Sequence, residues 1–373
     1  LEHFWWGSVF LFALPLAVVV IVLALRALPA KAGEEDVPVD HLGGVLSVIA
    51  VASLIMGIQT LPNGFSTSMG LLFATALVAG VLFFWRQKRA PRPLVDLDAA
   101  SVPTFWVAAL AGTITFGSLM GALFLGAQFT QNVLGYDSLK AALMTLPMSL
   151  MLIIISPFAG RMVQARGSRV TLAFGLVVVA VGFIIMIVTW HEGASVFVVL
   201  LSYAVVGAGV GACATPAAHA LMASLPVSRA GMGSAFTDLT RDFGGAIMQA
   251  VMGTLLAVVY ANYFRNAFAN LPPQEAANLS QEAAEQMVGS YQGAEQVAQS
   301  YPQASAERVI AAANEAFTEG KSVAYILALV LTLLALVLVL WKYPRRAQER
   351  AFFAQMQAQS AAEEAASANA AGA

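Results

Sequence analysis

Long apolar runs alternate with short polar segments along this chain. Nine runs approach the 20 or so residues a helix needs to cross a hydrocarbon core of roughly 30 Å: 5–27, 42–61, 68–85, 104–131, 138–157, 170–190, 195–224, 234–264 and 322–341. None alternates polar and apolar positions as barrel strands do. A bilayer offers unpaired backbone groups no partner, so helices are the spanning structure. The pattern predicts an all-α polytopic membrane protein with nine transmembrane helices. Polar segments divide it: a linker at 26–40, a Pro-containing basic-then-acidic stretch at 86–100, and a long Ala-, Gln- and Glu-rich stretch at 266–320. The blocks QEAAEQM and SAERVIAAANEAF in the last of these have helix-forming composition. They predict a small helical cap, with a disordered loop as the alternative. After Pro344 the chain starts as a basic amphipathic helix and is expected to end disordered.

Charge gives the sidedness. With the N-terminus outside and the spans alternating, fifteen of the nineteen Lys and Arg fall in cytoplasmic segments. Only Lys140, Arg265, Arg308 and Lys321 fall outside. Basic residues in short loops resist translocation, so this bias predicts a cytoplasmic C-terminus.

Composition narrows the function. The chain has 373 residues, 59% hydrophobic and 11% charged, with mean hydropathy +0.76; a soluble domain is not built this way. A formal charge of −2 argues against a nucleic-acid partner. Cys213 stands alone in an apolar run, and His3, His41, His191 and His219 lack metal-ligand spacing. No nucleophile–base pair, metal cluster or phosphate loop is visible, so the reading is of a non-enzyme without cofactor. The opening WWGSVFLFALPLAVVVIVLAL has no basic region before it and is long enough to span, unlike a cleavable leader.

The stretch SPFAGRMVQARGSRVTL, Ser156 to Leu172, reads as a short basic loop between two spans, with Gly160 and Gly167 as breakers. Gly160, Arg161, Gly167 and Arg169 resemble the major facilitator superfamily loop signature G-R-x-x-D-R-x-G-x-R, with Gln164 where the acid stands and Ala165 after it. In FTQNVLGYDSLKAALMTLPMSL, residues Gln131, Gly135, Ser138 and Pro147 are similar to a stretch of the fourteen-helix drug–proton antiporters (EmrB/QacA type), Ala142 replacing a glycine. The Gly-rich run VVGAGVGACATPAAHALMASLPVSRAGMGSAFTDLTRDFGGAIMQAVMG and the opening HFWWGSVFLFALPLAVVVIVLALRALP resemble the same branch.

The resemblance implies that the nine spans are helices six to fourteen. Residues 1–30 would be a leading helix, 31–100 a central helix pair with linkers, 101–342 the C-terminal six-helix half with an extracellular loop at 266–320, and 343–373 a cytoplasmic tail. It implies efflux of amphipathic or cationic small molecules across the plasma (inner) membrane by alternating access, with proton antiport. The first five helices would come from beyond this sequence, through a cut or misplaced start or from a separate chain. A homodimer using this half twice is the rival. The alternative function is a non-transporting sensor or partner subunit.

Particular residues carry these expectations. Thr113, Gly117, Gly121, Phe124, Gln128 and Gln131 form one helical stripe. Gln128 and Gln131 line a substrate cavity or act as interhelical hydrogen-bond glue; Thr113, Phe124, Tyr203, Met248 and Gln249 are the other cavity candidates. Asp238 and Arg241, three apart, can pair, as an interfacial ion pair or as a gate against Gly160, Arg161, Gly167 and Arg169. No Asp or Glu lies deep in a span, where a charge costs roughly 2.5–3.5 kcal/mol. Asp137, Asp238, Asp242 and His219 are the boundary groups; His219 and Asp238 are read as a proton relay, with a structural role as the alternative for His219.

Overall fold

The computed structural model describes residues 7–27, 40–64, 66–90, 93–95, 97–226, 229–269 and 280–371. Most of the expected 26–40 linker with Lys31, together with Arg92 and positions 270–279, lies outside them. Two compact units result, 1–41 and 42–373. The first contains α1 (Ser8–Ala27), apolar along its length with Pro15 inside.

The second unit takes in all but the first residue of α2 (His41–Thr60), then α3 (Thr67–Gln87); both bury few of their side chains, as helices facing hydrocarbon do. A short α4 (Leu97–Ser101) precedes α5 (Pro103–Gln128), which ends in a π turn, Phe129–Val133. The fifth run is a broken helix, α6 (Ser138–Met144) and α7 (Leu146–Arg166), with Pro147 opening the second piece. Then follow α8 (Ser168–Thr189), α9 (Val196–Ala223) and α10 (Ala230–Ala269). The amphipathic α11 (Gln281–Gly289) and α12 (Tyr291–Ala298) lead to α13 (Gln303–Lys342) and the tail helix α14 (Arg346–Ala371).

Among the described residues eight helices are long and apolar enough to cross a membrane. They match eight of the nine expected runs; the run at 5–27 begins outside the described residues and is represented by α1. Helices α10 and α13 have 40 residues each, about 60 Å at 1.5 Å per residue and twice a bilayer core. Their overhanging ends carry α11 and α12 as a helical cap, joined by the Tyr263 hydroxyl donating to Glu315 at 2.8 Å. The helical reading of 266–320 therefore holds over its described part.

Three expectations need correction. Gly160 is inside α7, so only Gly167 breaks the chain between α7 and α8; its φ of +87° and ψ of 164° are open to glycine alone. The tail remains helical to Ala371, as its Ala, Gln and Glu content favours. Lys321, counted among external loop cations, is fully buried inside α13.

Candidate transport site

The predicted stripe on α5 divides in two. Its first half packs against α10: a Cβ on Gly117 would lie 2.7 Å from the Gly244 carbonyl oxygen and 3.1 Å from Met248 Cβ. The Thr113 backbone sits against Gly244 in the same way, and the Gly121 surface is filled by Met248 and Met252. These residues form a close helix seam of small side chains. Met248 is buried in it rather than lining a cavity. The second half opens outward. Phe124 is 40% exposed, Gln128 and Gln249 are half-buried, and Gln131 is exposed.

The π turn rotates Gln131 out of the simple helical stripe, since it adds a residue to one turn. Both amides bond back to their own helix, Gln128 Nε2 to the Phe124 carbonyl at 3.5 Å and Gln131 Nε2 to the Ala127 carbonyl at 3.1 Å. The Ser138 hydroxyl donates to Gln131 Oε1 at 3.4 Å.

Tyr203 is not on this open face. It is fully buried beside Gly126, with its ring edge-on to Trp190 at 5.3 Å. Trp190 also stacks on Phe129 at 5.0 Å and meets Tyr325 at 5.9 Å. Into this aromatic box comes Lys321, whose ammonium donates to the Trp190 carbonyl at 2.5 Å and lies 5.1 Å from the Phe129 ring. The carbonyl is at the C-terminal end of α8, where the helix dipole favours a cation. Sequence reasoning missed this residue because a lone Lys before an apolar run reads as loop.

The α7–α8 joint is built from three segments. Ser168 N, the first amide of α8, donates to Glu349 Oε2 at 3.1 Å. The Tyr343 hydroxyl donates to Glu349 Oε1 at 3.0 Å. Burial pushes this hydroxyl well above its ordinary pKa, and the carboxylate adds to the shift, so Tyr343 is the donor. On the α7 side, the Gln164 carbonyl accepts from Arg346 at 2.8 Å and Arg350 at 3.0 Å. An acid thus meets the positive end of α8 and two arginines the negative end of α7. Arg169 reaches across to the Leu340 carbonyl. Arg161 is exposed, its guanidinium 5.5 Å from the Phe158 ring.

Asp238 and Arg241 are both exposed, and no ion pair joins them among the described residues. Arg241 instead lies 4.9 Å from the Phe116 ring. It lines a cavity of about 240 Å³ between α5, α9 and α10, with Thr215, Thr237 and Thr240. His219 is exposed, its ring 5.4 Å from Phe353 of the tail.

The Major Facilitator Superfamily profile matches residues 1–249. The chain belongs to this superfamily. It is therefore a multi-pass membrane protein of a transporter family, not of an enzyme family. Its superfamily relatives include the multidrug efflux pump LfrA of Mycolicibacterium smegmatis, 31% identical over 91% of this chain and 66% of that protein. The multidrug resistance protein Stp of Mycobacterium tuberculosis is 31% identical over 69% of this chain and 48% of that protein. The methyl viologen resistance protein SmvA of Salmonella typhimurium is 28% identical over 94% and 69%. The chain thus spans between about half and two thirds of these superfamily members' length. A solved bacterial homolog to the human lysosomal transporter Spinster, inward-facing and occupied, aligns at TM-score 0.47 and 16% identity, over 82% of this chain and 66% of that one.

Proposed function

We propose that this chain is helices six to fourteen, the C-terminal portion, of an EmrB/QacA-type antiporter. In this reading it expels amphipathic or cationic small molecules across the plasma (inner) membrane by alternating access, in exchange for protons. The likeness to LfrA over 91% of the chain carries the reading. Residues 1–30 are a leading helix, 31–100 the central pair, 101–342 the six-helix half and 343–373 the cytoplasmic tail. The N-terminus faces outside, in keeping with the placement of fifteen of nineteen cations.

Phe124, Gln128, Gln131 and Gln249 present the substrate wall, backed by Thr113, Met248 and Tyr203. A second half, from the same polypeptide or a separate chain, covers that wall, since such carriers rock two halves about a shared site. Gly160, Arg161, Gly167 and Arg169 make the cytoplasmic gate with Asp238 and Arg241, and Glu349 supplies the acid that Gln164 does not. His219 and Asp238 relay protons toward a coupling carboxylate on the first five helices. The test joins this chain to those five helices of LfrA and follows ethidium uptake into everted vesicles. We expect gradient-driven uptake, with apparent affinity shifted several-fold by Gln128→Ala or Gln131→Ala at unchanged expression. Equal flux with and without a proton gradient sinks the coupling; unchanged profiles for both variants sink the cavity assignment.

A further inference from the structure

A second cavity, about 660 Å³, opens where the start of α5, the end of α13 and the tail helix meet. Arg169, Lys342 and Arg345 line it with Gln348, and no Asp or Glu is among its lining residues. Glu349, the nearby acid, is buried against Ser168 and Tyr343. Helix α5 also begins at this cavity, with Val102 giving no side-chain cap and Pro103 in its first turn. A helix N-terminus adds to the field that three cations already create for an anion.

The cavity does not stand apart from the apolar surface. Val330, Leu334, Val337 and Trp341 are all exposed, Trp341 at 73%. Their spacing of four, three and four places them on one stripe of α13. That stripe runs into the cavity at Trp341, where the Lys342 ammonium lies 4.2 Å from the indole ring. An indole at a bilayer interface beside snorkelling cations is the arrangement that holds a headgroup at one depth.

We infer that this cavity is a binding site for the phosphodiester headgroup of an anionic phospholipid, whose acyl chains lie along the Val330–Trp341 stripe. The cations select the charge. The apolar stripe distinguishes a lipid from free phosphate, which has nothing to place there. The site holds the tail helix to the bundle through a lipid, and it depends on the membrane setting but not on efflux.

The test uses the purified full chain in detergent and native mass spectrometry, with phosphatidylglycerol and phosphatidylcholine of the same acyl chains. Retention of phosphatidylglycerol over phosphatidylcholine is expected. Lys342→Gln with Arg345→Gln should weaken it about fivefold for each cation and about 25-fold together. Lys88→Gln with Arg89→Gln, removing two cations elsewhere, should leave it unchanged. Gln348→Glu adds a repelling charge without removing a cation and should weaken retention as well, which covers the case of a double variant that unfolds. Equal loss in the Lys88 and Arg89 control, or full retention in either cavity variant that stays folded, would overturn the site. Displacement of the lipid by inorganic phosphate at equal concentration would make it a free-anion site and overturn the lipid assignment.

Discussion

Gly167 and Glu349 are tied to one another by contact. A Cβ on Gly167 would lie 3.1 Å from Arg346 Cβ and 3.2 Å from Glu349 Oε2, and the backbone there is open to glycine alone. Gly167→Ala should therefore cost about 1–3 kcal/mol from the backbone conformation. Glu349→Ala leaves the Ser168 amide and the Tyr343 hydroxyl without their acceptor, and a hydrogen bond to a charged group is worth about 1.5–3 kcal/mol. Unfolding in detergent, followed by helix content against denaturant, checks both. The two costs should fall short of additive in the double variant, because the residues share one contact; full additivity would mean that the joint is not a unit. The sequence displayed Gly167 and its arginines but not Glu349. An acid in a basic tail carries no sign of its partner, which lies 181 positions earlier in the chain.

At the scale of elements, hydropathy makes the spans legible because each must be apolar for the whole thickness of a bilayer. It says less about their ends. Helices α10 and α13 continue past the apolar runs into polar sequence, and the α7–α8 connection shrinks to one residue, since helical hydrogen bonding does not stop where hydrophobicity does. The stripe on α5 was legible as a face, but not as a face whose halves differ. Gly117 and Gly121 show their role only once Gly244 and Met248 lie opposite them.

The cap formed by α11 and α12 allows a separate prediction. The Tyr291 hydroxyl donates to Asn314 Oδ1 at 2.8 Å, and Asn314 Nδ2 donates to Glu192 Oε1 at 3.1 Å. Burial, with Glu295 and Glu192 adding, raises the Tyr291 pKa from 10.0 to about 12. The neutral phenol is favoured in the folded cap, so its contribution is complete below pH 10 and is lost as pH climbs toward 12. Hydrogen exchange across 281–298 should quicken over that window. In Tyr291→Phe it should be faster at neutral pH and lack this step; an unaltered step would assign the titration to another group.

On the scale of the whole molecule, the positive-inside bias predicts one topology. A Cys placed at Gln164 should react with an impermeant maleimide only from the cytoplasm, and one at Gln292 only from outside, in a background with Cys213 replaced. Labelling of both from one side would break the orientation. Lys321 shows where such counting fails: it scored as an external cation, yet it is folded into the aromatic box as a cap on α8. Charge statistics report what each segment met during insertion. They are silent on a side chain that finds its acceptor inside the bundle.

The joint at Gly167 also has an order in time. A polytopic chain enters the bilayer as it is made, N-terminal spans first, so α8 is in place well before Glu349 has been translated. Until then the first amide of α8 and the last carbonyls of α7 face the headgroups with only water as partner. The tail helix is therefore an assembly step as much as a part. A chain released before Glu349 is made lacks the acid that closes this joint, and a protease or a chaperone at that face can tell it from a finished one.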